Sequence, residues 1–352
     1  MKVSRKLALA VAGAAALVTA GAFFAAAAGS GQAKPAQAAV KVALVTDIGG
    51  LNDKGFNTLA NAGLKKAKAK LGANLETRVY ITNSDADRTP NLQRAAQDGY
   101  QLVIANGVLF AFGPLNTVAP AFSSTKFLGT DVDINSVEGK PQNVRGVQFR
   151  EQQAGCLVGN IAALEAKRLP GPDIISAVGA NKVTAIVRFF AGYQFCAKRA
   201  NKSVKVITQY ANDPTFNDQA KCKATALSQI ARGSRVVFQV AGGCGLGALD
   251  AAKQKKRWGI GVDADQGFFG PHVLTSATKH VETSVYDAVI AFQKNPAAWK
   301  TGFNVNYTAK NGGVGYGKLS PALPRKVAAQ YNASSAALLK LMASGKVKPP
   351  SQ

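Results

Sequence analysis

Three aspartates that follow predicted strands are the first candidates for chemistry in this sequence. Asp47 directly follows a predicted strand over residues 40–46. Asp131 comes after a strand at 127–129, and Asp263 follows a strand at 260–262. Carboxylates that converge at one sheet edge can hold calcium or attack a glycosidic bond. They can also bind a neutral polyol, because each oxygen accepts hydrogen bonds from hydroxyl groups. The three residues alone leave both chemistries open.

Other signals of catalysis are weak in this sequence. Two histidines, His272 and His280, are too few for a histidine-rich metal site, and the four cysteines do not form the C-x-x-C pairs of zinc sites. Residues 312–318 match the start of a P-loop, but Leu319 stands where a magnesium-binding Ser or Thr is needed. We therefore expect a binding protein with no catalytic residues, no metal and no cofactor.

The elements that must position the aspartates alternate between strand and helix. This alternation predicts an α/β fold with a parallel sheet and helices on both faces. The pattern also recurs: residues 128–133 (LGTDVD) are echoed by 260–265 (IGVDAD), and 103–107 (VIANG) by 238–242 (FQVAG). Strands that stop at Gly or Asp mark the edge of an open α/β sheet where ligands bind. Two copies of such an edge predict two doubly wound lobes that face each other.

The repeat also predicts where the lobes divide. We expect lobe 1 to contain residues 40–149 plus about 277–305, and lobe 2 to contain 150–276 plus about 306–352. A Gly-rich hairpin is expected near residues 311–313 (NGG).

The first 39 residues are predicted to be a secretory signal. Lys2, Arg5 and Lys6 precede an apolar run over residues 7–28, and an A-x-A site lies at 36–38. A retained N-terminal anchor is the alternative. We expect an exported, periplasmic or envelope-associated protein that is not a lipoprotein, because no cysteine lies at 20–40.

Export changes the interpretation of the four cysteines, which outside the cytoplasm favour two disulfides. Cys222 and Cys244 lie near the starts of two consecutive helices of lobe 2, which a right-handed doubly wound sheet places side by side. Cys156 lies on the helix that enters lobe 2, and Cys196 lies on the first helix of that lobe. We therefore predict the pairs Cys156–Cys196 and Cys222–Cys244, of the three connectivities that four cysteines allow.

The 352-residue chain carries 43 Lys and Arg against 19 Asp and Glu, a formal charge of +24. These basic residues are dispersed through helices, as in 65–70 and 253–257, and no aromatic-interleaved RNA-binding motif accompanies them. We expect no nucleic-acid partner, and a basic surface that favours anionic lipid or wall polymers.

Four segments, in order along the chain, resemble the BMP (basic membrane protein) family. They are residues 47–57 (DIGGLNDKGFN), 188–193 (RFFAGY), 259–266 (GIGVDADQ) and 275–279 (TSATK). The first and third are the most specific. The resemblance implies a type I periplasmic-binding-protein fold, two lobes joined by a hinge. It also implies a substrate-binding protein that delivers a purine nucleoside to an ABC permease, with a riboflavin-type ligand as the main alternative. We expect a monomer, and a nucleoside hydrolase and a surface sensor are the competing functions.

The resemblance further implies which residues bind the ligand. Asp47 and Asn57 would bond the edge of the base, and Asp263 and Lys279 the ribose hydroxyls. Phe56, with Phe189 in the other lobe, would sandwich the base by stacking. The complete expected set is Asp47, Phe56, Asn57, Asp131, Phe189, Gly242, Gly243, Asp263 and Lys279.

Overall fold

A computed structural model describes residues 39–352 of the chain. The predicted signal over residues 1–39 therefore lies, except for its last residue, outside the described part. Strands and helices alternate through the first half, as the sequence predicts. They are β1 (Val40–Val45), α1 (Phe56–Leu71), β2 (Leu75–Tyr80), α2 (Arg88–Gln97), β3 (Leu102–Asn106), α3 (Pro114–Ala121), β4 (Lys126–Thr130) and β5 (Val144–Phe149).

The second half repeats the alternation. Its elements are α4 (Glu151–Arg168), β6 (Ile174–Gly179), α5 (Thr184–Ala200), β7 (Lys205–Tyr210), α6 (Gln219–Ala231), β8 (Val236–Val240), α7 (Gly245–Gln254), β9 (Trp258–Asp263) and β10 (Val273–Lys279). The remaining elements are α8 (Val281–Lys294), β11 (Asn304–Tyr307), β12 (Val314–Tyr316) and α9 (Arg325–Ala343).

Residues 39–352 form two six-stranded sheets of matching topology. The orders are β11-β5-β4-β3-β1-β2 and β12-β10-β9-β8-β6-β7. All pairs are parallel except β10 with β12. The five strands β1–β5 and the five strands β6–β10 follow the same order in their sheets, so the sequence repeat corresponds to two copies of one doubly wound unit. The predicted fold class, two doubly wound parallel-sheet lobes, is confirmed.

The chain crosses between the two sheets three times: between β5 and α4, between β10 and α8, and between β11 and β12. The predicted hairpin near residues 311–313 is therefore wrong, because the strands that flank it belong to different sheets. A Gly-Gly sequence permits a turn but does not determine which sheet receives the next strand. We propose a lobe division that keeps each sheet whole: 40–149 with 281–307, and 151–279 with 314–352.

Helices α4 and α5 pack against each other at unusually short range. A Cβ atom on Gly159 would collide with the backbone of Tyr193, and one on Gly192 with the backbone of Gln152. Glycine at these positions lets the two backbones meet. The contact places the Cα atoms of Cys156 and Cys196 4.8 Å apart, within disulfide range.

The structure contains both predicted disulfides, Cys156–Cys196 and Cys222–Cys244. Helices α6 and α7 lie side by side, and the Cα atoms of Cys222 and Cys244 are 5.5 Å apart. Within residues 39–352, no helix has the length and apolar composition that a membrane span requires.

Candidate functional site

The carboxyl ends of the strands in both sheets face one cavity. All nine residues of the expected ligand-binding set line it: Asp47, Phe56, Asn57, Asp131, Phe189, Gly242, Gly243, Asp263 and Lys279. They come from the carboxyl ends of β1, β4, β8, β9 and β10, the start of α1, and the second turn of α5. The structure thus brings the whole predicted set together, although their role in binding stays a prediction.

Asp131 and Asp263 occupy equivalent positions of the repeat. Asp131 directly follows β4 and Asp263 is the last residue of β9. Both have left-handed backbone conformations, with φ of 60° and 61°. This region is sparsely populated by residues other than glycine and costs on the order of 1–3 kcal/mol. The same left-handed turn at both positions directs two carboxylates to the cavity.

Lys279 stands at the centre of a buried ion cluster. Its Nζ atom lies 2.6 Å from Asp131 Oδ2, 3.6 Å from Asp263 Oδ1 and 4.0 Å from Glu151 Oε1. Only 3% of the lysine side chain is exposed. Asp131 belongs to the first lobe and Lys279 to the end of β10 in the second, so their ion pair connects the lobes. We call Lys279, Asp131, Asp263 and Glu151 the Lys279 cluster.

Burial and mutual charge set the ionisation of this cluster. Burial disfavours the charge of Lys279, but Asp131, Asp263 and Glu151 outweigh it and raise the pKa of the lysine. Burial raises the pKa of Asp263 to about 6, with Lys279 acting in the opposite direction. Burial likewise raises the pKa of Glu151 to about 7. The lysine therefore stays charged, while two of its partners titrate near neutral pH.

Sequence reasoning missed Glu151. It is the first residue of α4, directly after the crossing from the first lobe, and its side chain is 2% exposed. Arg188 on α5 is 3.6 Å from its Oε2 atom. The signal available in the sequence was an acidic residue immediately after the last strand of lobe 1, but nothing local indicated that it would meet Lys279.

Sequence reasoning also missed Arg88, the first residue of α2. Its Nε and Nη2 atoms donate to Asp47 Oδ1 at 2.8 and 2.6 Å. The Ile48 amide donates to the same oxygen at 2.8 Å. Burial raises the pKa of Asp47, and the opposing charge of Arg88 limits that rise. One oxygen of Asp47 thus has three donors, and Oδ2 accepts none from residues 39–352.

The side-chain amide of Asn57 is saturated by the protein. Its oxygen accepts from the Asp47 amide at 3.0 Å and from Asn106 Nδ2 at 2.9 Å. Its nitrogen donates to the carbonyls of Asp47 and Ile48 at 3.2 and 3.3 Å. In this structure Asn57 holds the Asp47 turn in place. The expected bond to a ligand would have to replace one of these contacts.

Aromatic rings surround the ammonium group of Lys279. Its Nζ atom is 4.7 Å from the ring centre of Phe56, 5.2 Å from that of Phe149 and 5.9 Å from that of Phe189. Phe56 is half-buried, whereas Phe190 packs in the core on Tyr210 with ring centres 5.5 Å apart. Of the two adjacent phenylalanines, Phe189 is thus the one that lines the cavity, as expected.

Three carboxylate oxygens of the cluster are buried and have no hydrogen-bond partner among the described residues. They are Asp131 Oδ1, Asp263 Oδ1 and Glu151 Oε2. A buried acceptor without a donor costs about 1–3 kcal/mol. Asp131 and Asp263 line the cavity and Glu151 does not, so hydroxyl groups of a ligand would remove this cost at the two aspartates. Asp263 Oδ1 also faces Lys279 Nζ at 3.6 Å, beyond hydrogen-bond distance. Free acceptors beside aromatic faces suit a ligand with several hydroxyl groups and a flat ring.

The sequence profile described as "ABC transporter substrate-binding protein PnrA-like" matches residues 39–345. The ABC transporter nucleoside-binding protein BmpA of Lactococcus lactis is 34% identical over 310 residues, which cover 82% of this chain and 84% of that protein. An uncharacterized lipoprotein of Pyrococcus abyssi is 34% identical over 290 residues, covering 79% of this chain and 69% of that protein.

Solved structures agree with these relatives. The crystal structure of an ABC transporter solute-binding protein from Aeropyrum pernix superposes with a TM-score of 0.75 at 26% identity, covering 89% of this chain and 94% of that one. The lipoprotein relative bears on the N-terminus: it lends no support to the expectation that this chain lacks a lipid anchor.

Proposed function

Because this chain belongs to the Bmp family of PnrA-like ABC transporter substrate-binding proteins, we propose that it binds a purine nucleoside between its lobes and presents it to an ABC permease. The similarity to a nucleoside-binding protein supports the ligand class. We further propose that the protein acts as an exported monomer at the cell envelope.

The observation that carries the ligand class is the Lys279 cluster with its aromatic surroundings. Asp131 and Asp263 each present an oxygen without a donor, so two ribose hydroxyls could each donate to a carboxylate. Phe56 and Phe189 line the same cavity and offer apolar faces to a base. Asp47 Oδ2 remains available for an amino or imino group at the base edge. This combination of hydrogen-bond acceptors and apolar faces matches a nucleoside better than a simple sugar.

We propose binding without turnover. A hydrolase would release free base from adenosine or inosine incubated with the purified protein, and chromatography would detect it. Mass spectrometry of the ligand that accompanies the protein through purification, released by denaturation, identifies the natural ligand. Riboflavin is the main alternative within binding proteins, and this measurement distinguishes a flavin from a nucleoside by mass.

We expect a saturating nucleoside to raise the melting temperature and to reduce the radius of gyration. The ligand would touch both lobes, which already meet through the Lys279–Asp131 pair and a 3.2 Å hydrogen bond from Gln266 Nε2 to the Lys54 carbonyl. At a hundred times Kd, linkage adds about 2.7 kcal/mol to the free energy of unfolding. Differential scanning fluorimetry and small-angle scattering measure the two effects. If a panel of nucleosides and riboflavin changes neither quantity, the proposed function is wrong.

We expect Phe56→Ala to weaken nucleoside binding at least tenfold. The ring would lose its stacking contact with the base, worth about 1–3 kcal/mol. Calorimetric titration measures the affinity, and Phe112→Ala is the matched control, because Phe112 is 61% exposed and lies outside the cavity. Equal affinity of wild type and Phe56→Ala would remove this ring from the site.

A further inference from the structure

The amino-terminal edge of the second sheet, opposite the candidate ligand site, carries a separate groove. Its residues come from segments that lead into four strands: Pro170 before β6, Arg235 before β8, Trp258 at the start of β9 and His272 before β10. The groove has a volume of about 550 Å³, within the range of about 300–1,000 Å³ typical of small-molecule sites. We call it the amino-edge groove.

Arg235 is the unusual residue of this groove. Only 8% of it is exposed. Its guanidinium forms no hydrogen bond or ion pair with any residue of the described range 39–352, and its Nη1 atom is fully buried without a partner. A buried cation without a counter-charge is strongly unfavourable, and arginine cannot avoid the cost by losing its proton. The most buried side chain of the groove therefore holds a cation whose Nη1 atom has no partner among residues 39–352.

The groove contains three further basic residues. Lys256 and Arg257 add two exposed positive charges, and His272 contributes a buried Nε2 atom that has no partner within residues 39–352. No carboxylate is among the described residues that line the groove. Two acidic groups lie nearby, and both are engaged elsewhere.

These two acids cannot neutralise Arg235. Glu165 accepts hydrogen bonds from Arg168, Tyr331 and Trp258 Nε1. Asp250 pairs with Lys223 at 2.6 Å. Arg235, Lys256 and Arg257 thus form no ion pair with any carboxylate of residues 39–352.

Basic residues near helix ends have a simpler explanation, which does not account for Arg235. Helices α4, α6 and α7 all end at this edge, and cations near helix C-termini interact favourably with free carbonyls and the helix dipole. That explanation suits Lys256 and Arg257, which directly follow α7. It does not suit Arg235, because its guanidinium donates to no carbonyl of the described chain.

We propose that the amino-edge groove binds the phosphate group of a phosphate ester. A guanidinium fork matches the oxygens of phosphate, and Lys256 and Arg257 would balance its remaining charge. The walls formed by Leu169, Pro170, Trp258 and Pro271 are largely apolar, so the ester would carry an apolar or aromatic part that packs against them. The site is independent of the proposed nucleoside binding, because it lies at the opposite edge of the sheet.

The test is a calorimetric titration of the full chain with inorganic phosphate at constant ionic strength. We expect Arg235→Met and Lys256→Gln each to weaken phosphate binding about tenfold or more. Lys255→Gln is the matched control, since Lys255 is an exposed neighbour outside the groove. If phosphate does not bind the wild type, or if the control weakens binding as much as the groove variants, the proposal is wrong. Should Arg235→Met fail to fold, the exposed Lys256 decides the outcome.

Vesicles distinguish the source of the phosphate. Sedimentation is compared with phosphatidylglycerol–phosphatidylcholine vesicles and with phosphatidylcholine alone. If the groove variants reduce sedimentation with the anionic vesicles and Lys255→Gln does not, the phosphate belongs to a lipid headgroup. If vesicle binding is the same in all variants while phosphate binding falls, the site takes a soluble ester.

Discussion

Replacing Lys279 with methionine should lower the free energy of unfolding by about 3–5 kcal/mol, the typical cost of removing one partner from a buried ion pair. The variant leaves Asp131, Asp263 and Glu151 within one buried cluster and without their shared cation. Their mutual repulsion and poor solvation then oppose folding. Urea unfolding followed by circular dichroism measures the change.

The loss should depend on pH in a defined direction. Burial already raises the pKa of Asp263 from 3.8 to about 6 and that of Glu151 from 4.5 to about 7, while Lys279 opposes both shifts. Without the lysine both values rise further. Between the ordinary and the raised pKa the folded state binds more protons than the unfolded state, so the free energy of unfolding falls as pH rises. The deficit of Lys279→Met should therefore be larger at pH 8 than at pH 5.5.

Lys41→Met is the control for the Lys279 experiment. Lys41 pairs with Glu76 at 3.5 Å, but both side chains are largely exposed, and such pairs contribute about 0–1 kcal/mol. If Lys279→Met loses less than about 1 kcal/mol, or if its loss does not depend on pH, then the three carboxylates do not depend on Lys279 for their stability in the folded state.

The sequence repeat was sufficient to predict two doubly wound lobes whose strand ends face each other. A strand that ends in Gly or Asp has a strong local signature, and the rules of doubly wound sheets then bring such ends to one edge. Asp131 and Asp263 could be paired in advance for this reason. The pairing of Cys222 with Cys244 followed from the same rules, since adjacent helices begin at the same edge.

The burial of Arg88 and Glu151 could not be predicted from the residues around them in the sequence. Each is the first residue of a helix, and a charged residue there is ordinarily a surface residue that interacts with the helix end or water. Their burial depends on contacts with Asp47 and Lys279, residues 41 and 128 positions away along the chain. Asn57 is a different case. Its place in the 47–57 motif was enough to predict that it lies at the cavity, but the sequence does not show that four internal hydrogen bonds occupy its side-chain amide.

Asp263→Asn should reduce nucleoside affinity about 10- to 100-fold. Asp263 Oδ1 is buried and has no hydrogen-bond partner among the described residues, and in the proposed complex it accepts from a ribose hydroxyl. A hydrogen bond to a charged group contributes about 1.5–3 kcal/mol, and each 1.4 kcal/mol is about a tenfold change in affinity. Asparagine keeps the shape of the side chain and tolerates the left-handed backbone at φ 61°, so the fold should remain intact.

The matched control for Asp263 lies two residues further along the same turn. The Asp265 carboxylate accepts from the amides of Gly267 and Lys318 and does not line the cavity, so Asp265→Asn should bind nucleoside as the wild type does. Calorimetric titration compares the three proteins, and their melting temperatures report whether each is folded. Because both substitutions remove one negative charge from the same turn, a general electrostatic effect would weaken binding in both. Only loss confined to Asp263→Asn supports direct contact with the ligand, and wild-type affinity in that variant would exclude it.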